Sequence, residues 1–278
     1  MDLYHQISFK TSELITKSYS TSFSIAVSFL SREMRRAIYS IYGFVRLADE
    51  IVDSFDQVNK KMLLQSFERD YHKAMLNGVS TNLVLHAFTL TVKKYNIPQY
   101  HIESFLKSMK ADLTKKRYNN KNELKEYIYG SADVVGLMCL RVFVNGDKQL
   151  YNRLEKPAMK LGSAFQKVNF LRDLKADTEG LKRHYFPRYE ADNFDETMKS
   201  LLIKDIEKDF KAAKEGLKAL PGKSKLAVLI ALIYYKHLLK KLKKTPAKKI
   251  ISTRIRLAGI IKLLLLGKAY LKFQLNII

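Results

Sequence analysis

Cysteine is almost absent from this 278-residue chain, tryptophan is missing, and there are only five prolines and eleven glycines. The single cysteine, Cys139, excludes an internal disulfide framework. No two of the six histidines stand three or four residues apart, so the spacing typical of zinc ligands on a helix is also lacking. Because helix breakers are few and Lys, Leu, Ala and Ile recur at helical spacing, the composition predicts an all-α protein.

No targeting segment or internal boundary is evident. The first ten residues, MDLYHQISFK, lack the apolar core of a signal peptide, which favours a cytoplasmic protein. No Gly/Ser-rich linker, shift in composition or repeat of fixed period divides the chain, so we expect one helical domain over residues 1–278. Hydrophobic periodicity predicts helices over 32–55, 60–76, 82–95, 98–113, 122–144, 150–177, 194–219 and 225–243, and a last one from about 247.

Acidic residues are missing from the C-terminal part of the chain. None follows Glu215, whereas Lys and Arg continue and are densest over 236–249. The formal net charge of +23 favours an anionic partner such as nucleic acid, an acidic membrane surface or a phosphorylated ligand. A Lys-rich run can equally be a solvated face with no specific role. As a hypothesis, the 236–249 stretch makes peripheral contact with anionic lipid, at the inner face of a membrane.

Long hydrophobic runs are also few. Residues 260–278 are strongly apolar, but Lys262, Lys268 and Lys272 divide them into runs much shorter than a bilayer span. This pattern favours a core helix over a membrane anchor.

The stretch RLADEIVD, residues 46–53, places two carboxylates in an otherwise apolar segment. At about 100° per residue, Tyr42, Arg46, Asp49 and Asp53 fall within roughly 60° of one another on a helix. An aspartate pair on a helix commonly marks a solvated face. Apolar neighbours all round this stripe argue against that interpretation here.

A second polar stripe lies in GSAFQKVNFLRDLKAD, residues 162–177. Its members, Gln166, Asn169, Asp173 and Asp177, fall within about 80° on one helix face. Burying several carboxylates side by side is unfavourable unless cations neutralise them. Two such stripes facing one cavity would be stabilised by hard divalent cations between them.

Mg²⁺ suits this arrangement, or Mn²⁺ in its place, because it takes oxygen ligands and commonly joins one or two carboxylates to substrate phosphates. The sequence therefore predicts a diphosphate held by Mg²⁺ between two helices. Arg46, Arg172 and the basic C-terminal third would add positive charge for an anionic substrate.

Six segments in this order resemble the squalene and phytoene synthase family. They spread over most of the chain, and it is the ordered set that is specific, since a DxxxD pair occurs widely. The segments are SYSTSF (18–23), IYGFVRLADEIVD (41–53), YIYGSADVVG (127–136), FQKVNFLRDLKAD (165–177), RHYFP (183–187) and TRIRL (253–257).

The resemblance implies an isoprenoid synthase helical bundle with a central cavity, in which two prenyl diphosphates are joined through their C1 ends. It implies that Mg²⁺ is held by Asp49, Asp53, Asn169, Asp173 and Asp177, and that the four aspartates act in catalysis with Arg46 and Tyr127. It also implies substrate-binding roles for Ser20, Ser22, Phe23, Tyr42, Arg46, Tyr127, Gln166, Asn169, Arg172, Tyr185, Tyr234 and Arg254, with Arg256 as a second arginine of the TRIRL segment. One departure is Asp133, which stands where the family more often has glycine.

The sequence RLADEIVD is closer to the phytoene branch of that family, in which an ADxIVD pattern is common, and the chain has no glycine-rich dinucleotide loop. We therefore expect a phytoene synthase that uses two geranylgeranyl diphosphates and no nicotinamide cofactor, in carotenoid biosynthesis. The alternative is a squalene or dehydrosqualene synthase that uses farnesyl diphosphate. A non-enzymatic protein that binds nucleic acid or a membrane surface would leave both acidic stripes unexplained, so no nucleic-acid partner is expected. The sequence does not predict an oligomeric state.

Overall fold

The structure is a computed structural model that describes residues 2–187 and 194–277, and within these ranges the regular elements are all helical. Two π-helical turns interrupt the α-helices, at Tyr129–Asp133 and Ala176–Gly180. The α-helices are α1 (Leu3–Tyr19), α2 (Thr21–Ser28), α3 (Arg32–Asp53), α4 (Lys60–Asn77), α5 (Leu83–Tyr95), α6 (Gln99–Asp112), α7 (Lys121–Ile128), α8 (Val134–Val144), α9 (Lys148–Arg172), α10 (Glu196–Leu217), α11 (Gly222–Lys244), α12 (Ala247–Ser252) and α13 (Gly259–Gln274).

Short polar side chains set the starts of several helices. The side chain of Ser31 caps α3 by accepting the amide of Met34, and Asp147 caps α9 by accepting the amide of Leu150 at 2.8 Å. At the other end, α4 stops at Gly78, whose φ of 75° suits glycine. The predicted helix starts at residues 32 and 60 are confirmed, and the starts predicted at 82 and 98 lie one residue before Leu83 and Gln99.

The core consists of two apolar clusters with a cavity between them. One is centred on α3, where the rings of Phe44 and Phe88 stack with centroids 4.0 Å apart. The other is built mainly from α8, α9, α10 and α11. A Cβ added at Gly216 of α10 would lie 2.3 Å from Cβ of Pro157 in α9, so the absence of a side chain allows the two helices to approach closely.

Several predicted elements differ from the structure. The helix predicted over 150–177 ends at Arg172. Asp173 caps its C-terminus, and the π-helical turn Ala176–Gly180 follows a few residues later. The helix predicted over 122–144 contains the π-helical turn at Tyr129–Asp133. The last predicted helix is broken into α12 and α13 by an extended segment, and α1 and α2 were not predicted.

The prediction of a core helix at the C-terminus is wrong. Ala269 is the buried residue of α13, whereas Leu263 and Leu264 are 63% and 67% exposed. Periodicity could not show this, because α13 is apolar on more than one face and the bundle covers only one of them. By length and composition, one described helical stretch, Lys121–Val144, could cross a membrane, but 56% of its apolar window is buried within the bundle, as in a core helix.

Candidate active site

A cavity of about 680 Å³ lies between the two apolar clusters, enclosed chiefly by α2, α3, α8, α9 and α11. Its inner part is apolar, with Leu140, Phe143, Leu154 and Val228 among its walls. All the residues predicted for the site line it: Ser20, Ser22, Phe23, Tyr42, Arg46, Asp49, Asp53, Tyr127, Gln166, Asn169, Arg172, Asp173, Asp177, Tyr185, Tyr234 and Arg254. Arg256 differs, since it is exposed and offers its backbone carbonyl to Lys241.

The first acidic stripe lies on α3. The guanidinium of Arg46 donates to Oδ2 of Asp49 at 2.7 Å and also contacts Glu50. The ring of Tyr19 lies 4.3 Å from the Arg46 guanidinium carbon, which adds a cation–π contact. Arg46 is thereby oriented along the same face of α3 as the aspartates.

The second stripe begins on α9 and continues into the turn that follows it. Oδ1 of Asp173 accepts from Arg172 Nε at 3.0 Å and pairs with Arg254 Nε at 2.6 Å. The amide of Asp177 donates to the carbonyl of Asp173 at 3.0 Å. Although α9 ends five residues earlier than predicted, this turn keeps Asp177 on the cavity wall.

The two stripes face one another across the cavity. Burial, and then the charge of Asp53, raises the pKa of Asp49 to about 6. Burial raises the pKa of Asp177 to about 7, with further contributions from Asp173 and from Asp53 on the opposite helix. The aspartates of both stripes line one cavity, and the side chains of Asp53 and Asp173 are only 24% and 17% exposed, so the interpretation as a solvated face does not hold.

Two residues at the site were missed by sequence reasoning, Arg183 and Asp112. Arg183 is only 4% exposed, and its Nη1 lies 2.8 Å from Oδ1 of Asp53. Its Nη2 donates to the backbone carbonyl of Asp112 at 3.2 Å, and Oδ2 of Asp112 accepts from the hydroxyl of Tyr127 at 2.9 Å. Arg183 falls within the RHYFP segment, which could have indicated it, whereas Asp112 has no such signal.

Aromatic rings form the wall beside this network. Phe170 and Tyr185 stack with centroids 3.9 Å apart, and Tyr127 lies 5.4 Å from Tyr185. At the opposite wall, Phe23 stacks on Tyr42 at 5.1 Å. The cavity thus combines an acidic and arginine-rich end with apolar and aromatic walls, as a site for a ligand with a charged head and a hydrocarbon chain requires.

The donor set can hold cations only together with a ligand. Within the described ranges, no three side chains of Asp, Glu, His or Cys come close enough to form a metal site by themselves. Mg²⁺ commonly takes one or two carboxylates and completes its coordination with water and phosphate oxygens. The oxygens of the two stripes fit that habit, because each stripe supplies carboxylates to the same cavity.

The chain belongs to the squalene/phytoene synthase family, whose model matches residues 16–260. It is 27% identical over 243 residues to phytoene synthase 2 of Solanum lycopersicum, covering 81% of this chain and 78% of that protein. It is also 27% identical to phytoene synthase 1 of Zea mays over 81% of this chain, but it spans only 59% of that longer protein.

The fold has a solved counterpart. A dehydrosqualene synthase crystallised with a ligand superposes with a TM-score of 0.85 at 23% identity, covering 97% of this chain and 98% of that one. The predicted family and the predicted all-α isoprenoid synthase fold are both confirmed. Family and fold together support a prenyltransferase of the squalene/phytoene synthase type.

Proposed function

We propose that this chain is a head-to-head prenyltransferase that condenses two geranylgeranyl diphosphates to phytoene, with release of diphosphate, in carotenoid biosynthesis. The observation that carries the proposal is the pair of opposed acidic stripes, bordered by arginines, at one end of an apolar cavity. Family membership supports the reaction class, and the phytoene synthases among its relatives favour the C20 substrate.

In this proposal Asp49 and Asp53 on one side, and Asn169, Asp173 and Asp177 on the other, hold Mg²⁺ or Mn²⁺ together with the diphosphates. The bound cations would neutralise the diphosphate and make it a better leaving group. The arginines that pair with the aspartates would contact the same diphosphates by charge-assisted hydrogen bonds. Ser20, Ser22 and Gln166 line the same cavity and would complete the polar contacts to the head groups.

The rest of the cavity would protect the reaction. Loss of one diphosphate leaves an allylic cation, which the double bond of the second substrate attacks to give a cyclopropylcarbinyl diphosphate. This intermediate ionises in turn, rearranges and loses a proton. Apolar walls exclude the water that would quench such cations, and the faces of Phe23 and Tyr42 can stabilise positive charge. Tyr127 is oriented by its hydrogen bond to Asp112.

The nearest alternative is a squalene or dehydrosqualene synthase that uses farnesyl diphosphate. The structural similarity to a dehydrosqualene synthase supports the shared fold and does not distinguish the two chain lengths. Squalene formation consumes a nicotinamide cofactor, whereas phytoene and dehydrosqualene formation both end in loss of a proton, so dependence on the cofactor would indicate a squalene synthase.

The test is to incubate the purified chain and Mg²⁺ with farnesyl or geranylgeranyl diphosphate, each with and without NADPH, and to identify the products by mass spectrometry. We expect phytoene from geranylgeranyl diphosphate, formed equally without NADPH and abolished by EDTA. Squalene or dehydrosqualene from farnesyl diphosphate, with no phytoene, would replace the assignment by the alternative. Absence of any condensation product would overturn the proposed function.

A further inference from the structure

Helix α13 carries an apolar stripe that faces solvent. At about 100° per residue, five residues of α13 and its C-terminal end fall within an arc of about 120°. Each of the five is more than 60% exposed, and they are Ile260, Leu263, Leu264, Leu271 and Leu275. Singly exposed leucines are ordinary on a protein surface, whereas a contiguous stripe of large apolar side chains marks a contact site.

The opposite face of the helix is the one that packs on the bundle. Ala269 is fully buried there, and Leu265, Leu266 and Phe273 pack against the core formed by α8 to α11. The position of α13 is therefore fixed by its inner face. Within the part of the chain that the structure describes, the outer stripe faces solvent.

The positive charge around the stripe favours an anionic partner. Lys268 and Lys272 follow one edge of the stripe, and no acidic residue occurs after Glu215. Lys241 at the Lys-rich end of α11 donates to the carbonyl of Arg256, which places that end close to the start of α13. A second copy of the same surface would bring two strongly basic regions together, so charge complementarity favours an anionic lipid surface over a dimer.

The start of α13 lies close to the cavity wall. Arg254, which pairs with Asp173 at the cavity wall, precedes α13 by five residues. At the beginning of α13, the ammonium of Lys262 lies 6.0 Å from the ring centroid of Tyr234, another wall residue.

We infer that α13 docks the protein on an anionic bilayer, with the leucine stripe inserted at the level of the lipid head groups and the neighbouring lysines contacting anionic lipid. An in-plane amphipathic helix binds membranes by this combination of apolar burial and electrostatic attraction. The docking surface is carried by exposed residues outside the proposed catalytic machinery, so it can be tested independently of turnover.

The test is co-flotation of the full chain with vesicles of phosphatidylcholine alone and of phosphatidylcholine with phosphatidylglycerol. We expect the unmodified protein to float with the anionic vesicles, with each contacting lysine contributing about fivefold to partitioning. The variant Leu263→Gln/Leu264→Gln/Leu271→Gln should lower the partition coefficient on the order of a hundredfold, because three apolar side chains no longer enter the membrane. Glutamine keeps a helix propensity similar to that of leucine.

The matched control is Leu14→Gln/Leu76→Gln/Leu201→Gln, which makes the same change at three leucines that are 67%, 85% and 58% exposed elsewhere on the surface. This control should float like the unmodified protein, and circular dichroism should show the same helix content in all three proteins. Equal flotation of the α13 variant, failure of the unmodified protein to float, or indifference to lipid charge would overturn the inference. Sedimentation equilibrium supplies one more contrary outcome: a dimer lost in the α13 variant, without vesicle binding, would assign the stripe to a second copy of the chain.

Discussion

Arginines hold the carboxylates of the cavity in place. Asp49 pairs with Arg46, Asp53 pairs with Arg183, and Asp173 pairs with both Arg172 and Arg254. These pairs explain how the protein tolerates several carboxylates in one desolvated space. Under the proposed function, the same guanidinium groups would turn to a bound diphosphate once cations bind the aspartates.

Replacing one aspartate of either stripe tests the proposed metal ligands. We expect Asp49→Ala and Asp173→Ala each to abolish product formation, because each removes oxygens proposed to hold Mg²⁺. Both variants should fold, because losing one of several mutually repelling carboxylates does not empty the core. Product assays and thermal unfolding measure the two effects. Asp56→Ala is the control, as the Asp56 side chain is 82% exposed and pairs with Lys60, and it should remain active. Undiminished activity in either site variant would contradict the assignment.

Removal of Arg183 should destabilise the protein. Arg183→Gln leaves Asp53 and Asp112 without their buried cation, and breaking such a pair lowers the free energy of unfolding by about 3–5 kcal/mol. Urea unfolding measures the loss. The double variant Arg183→Gln/Asp112→Asn should regain part of it, because the second change removes an unpaired buried charge. A loss below about 1 kcal/mol in the single variant would show that Arg183 does not have this role.

Asp133 provides a pH-dependent test. Burial, followed by the charge of Asp209, raises its pKa from 3.8 to about 7, although Lys160 and Lys167 oppose the shift. Its contribution to stability is therefore present below pH 3.8 and is lost as the pH rises through about 7. We expect the difference in free energy of unfolding between Asp133→Asn and the unmodified protein to grow by about 2 kcal/mol, in favour of the variant, as the pH rises from 5 to 8. Urea unfolding at each pH measures this difference. A difference that does not change with pH would contradict this.

Among the helices, those whose ends have local signals were predicted well. Helices α3 to α6 begin and end close to their predicted limits, because caps such as Ser31 and stops such as Gly78 are encoded locally. The π-helical turn Tyr129–Asp133 could not be predicted in this way. It depends on packing against α6, where a Cβ at Gly130 would lie 2.1 Å from Oγ of Ser108. The solvent-facing side of α13 likewise depends on which face the bundle covers.

The contact between α9 and α10 can be tested with one methyl group. We expect Gly216→Ala to lower the free energy of unfolding by about 1–3 kcal/mol, because the new Cβ would meet the rigid ring of Pro157 at 2.3 Å. Gly267→Ala, in the exposed interior of α13 with nothing within 4 Å of the new Cβ, should instead stabilise by about 0.5–1 kcal/mol. Chemical denaturation of both variants measures the contrast. Equal effects would show that α9 and α10 do not approach as closely as described.

For the whole molecule, the sequence predicted which residues line the cavity better than it predicted their packing contacts or the depth of the cavity. Every residue carried over from the family lines the cavity except Arg256. Helical periodicity accounts for the stripe on α3 and for Gln166 and Asn169 on α9, whereas Asp177 lies in the π-helical turn beyond the end of α9. Asp112 was missed because it becomes a neighbour of Tyr127 only when α6 packs against the turn Tyr129–Asp133 that follows Tyr127. Prenyl chain length is a matter of cavity depth, which depends on the packing of many side chains at once and has no local signal. The single domain over residues 1–278 stays a prediction.

In the proposed function, cations held between the two stripes bind the diphosphate. The most direct measurement is a crystal structure with Mn²⁺ and an unreactive thiodiphosphate analogue of geranylgeranyl diphosphate, with Mn²⁺ located by anomalous scattering. We expect anomalous peaks between α3 and the C-terminal end of α9, coordinated by diphosphate oxygens and by aspartates of both stripes. Peaks remote from these aspartates, or a diphosphate bound away from them, would contradict the account.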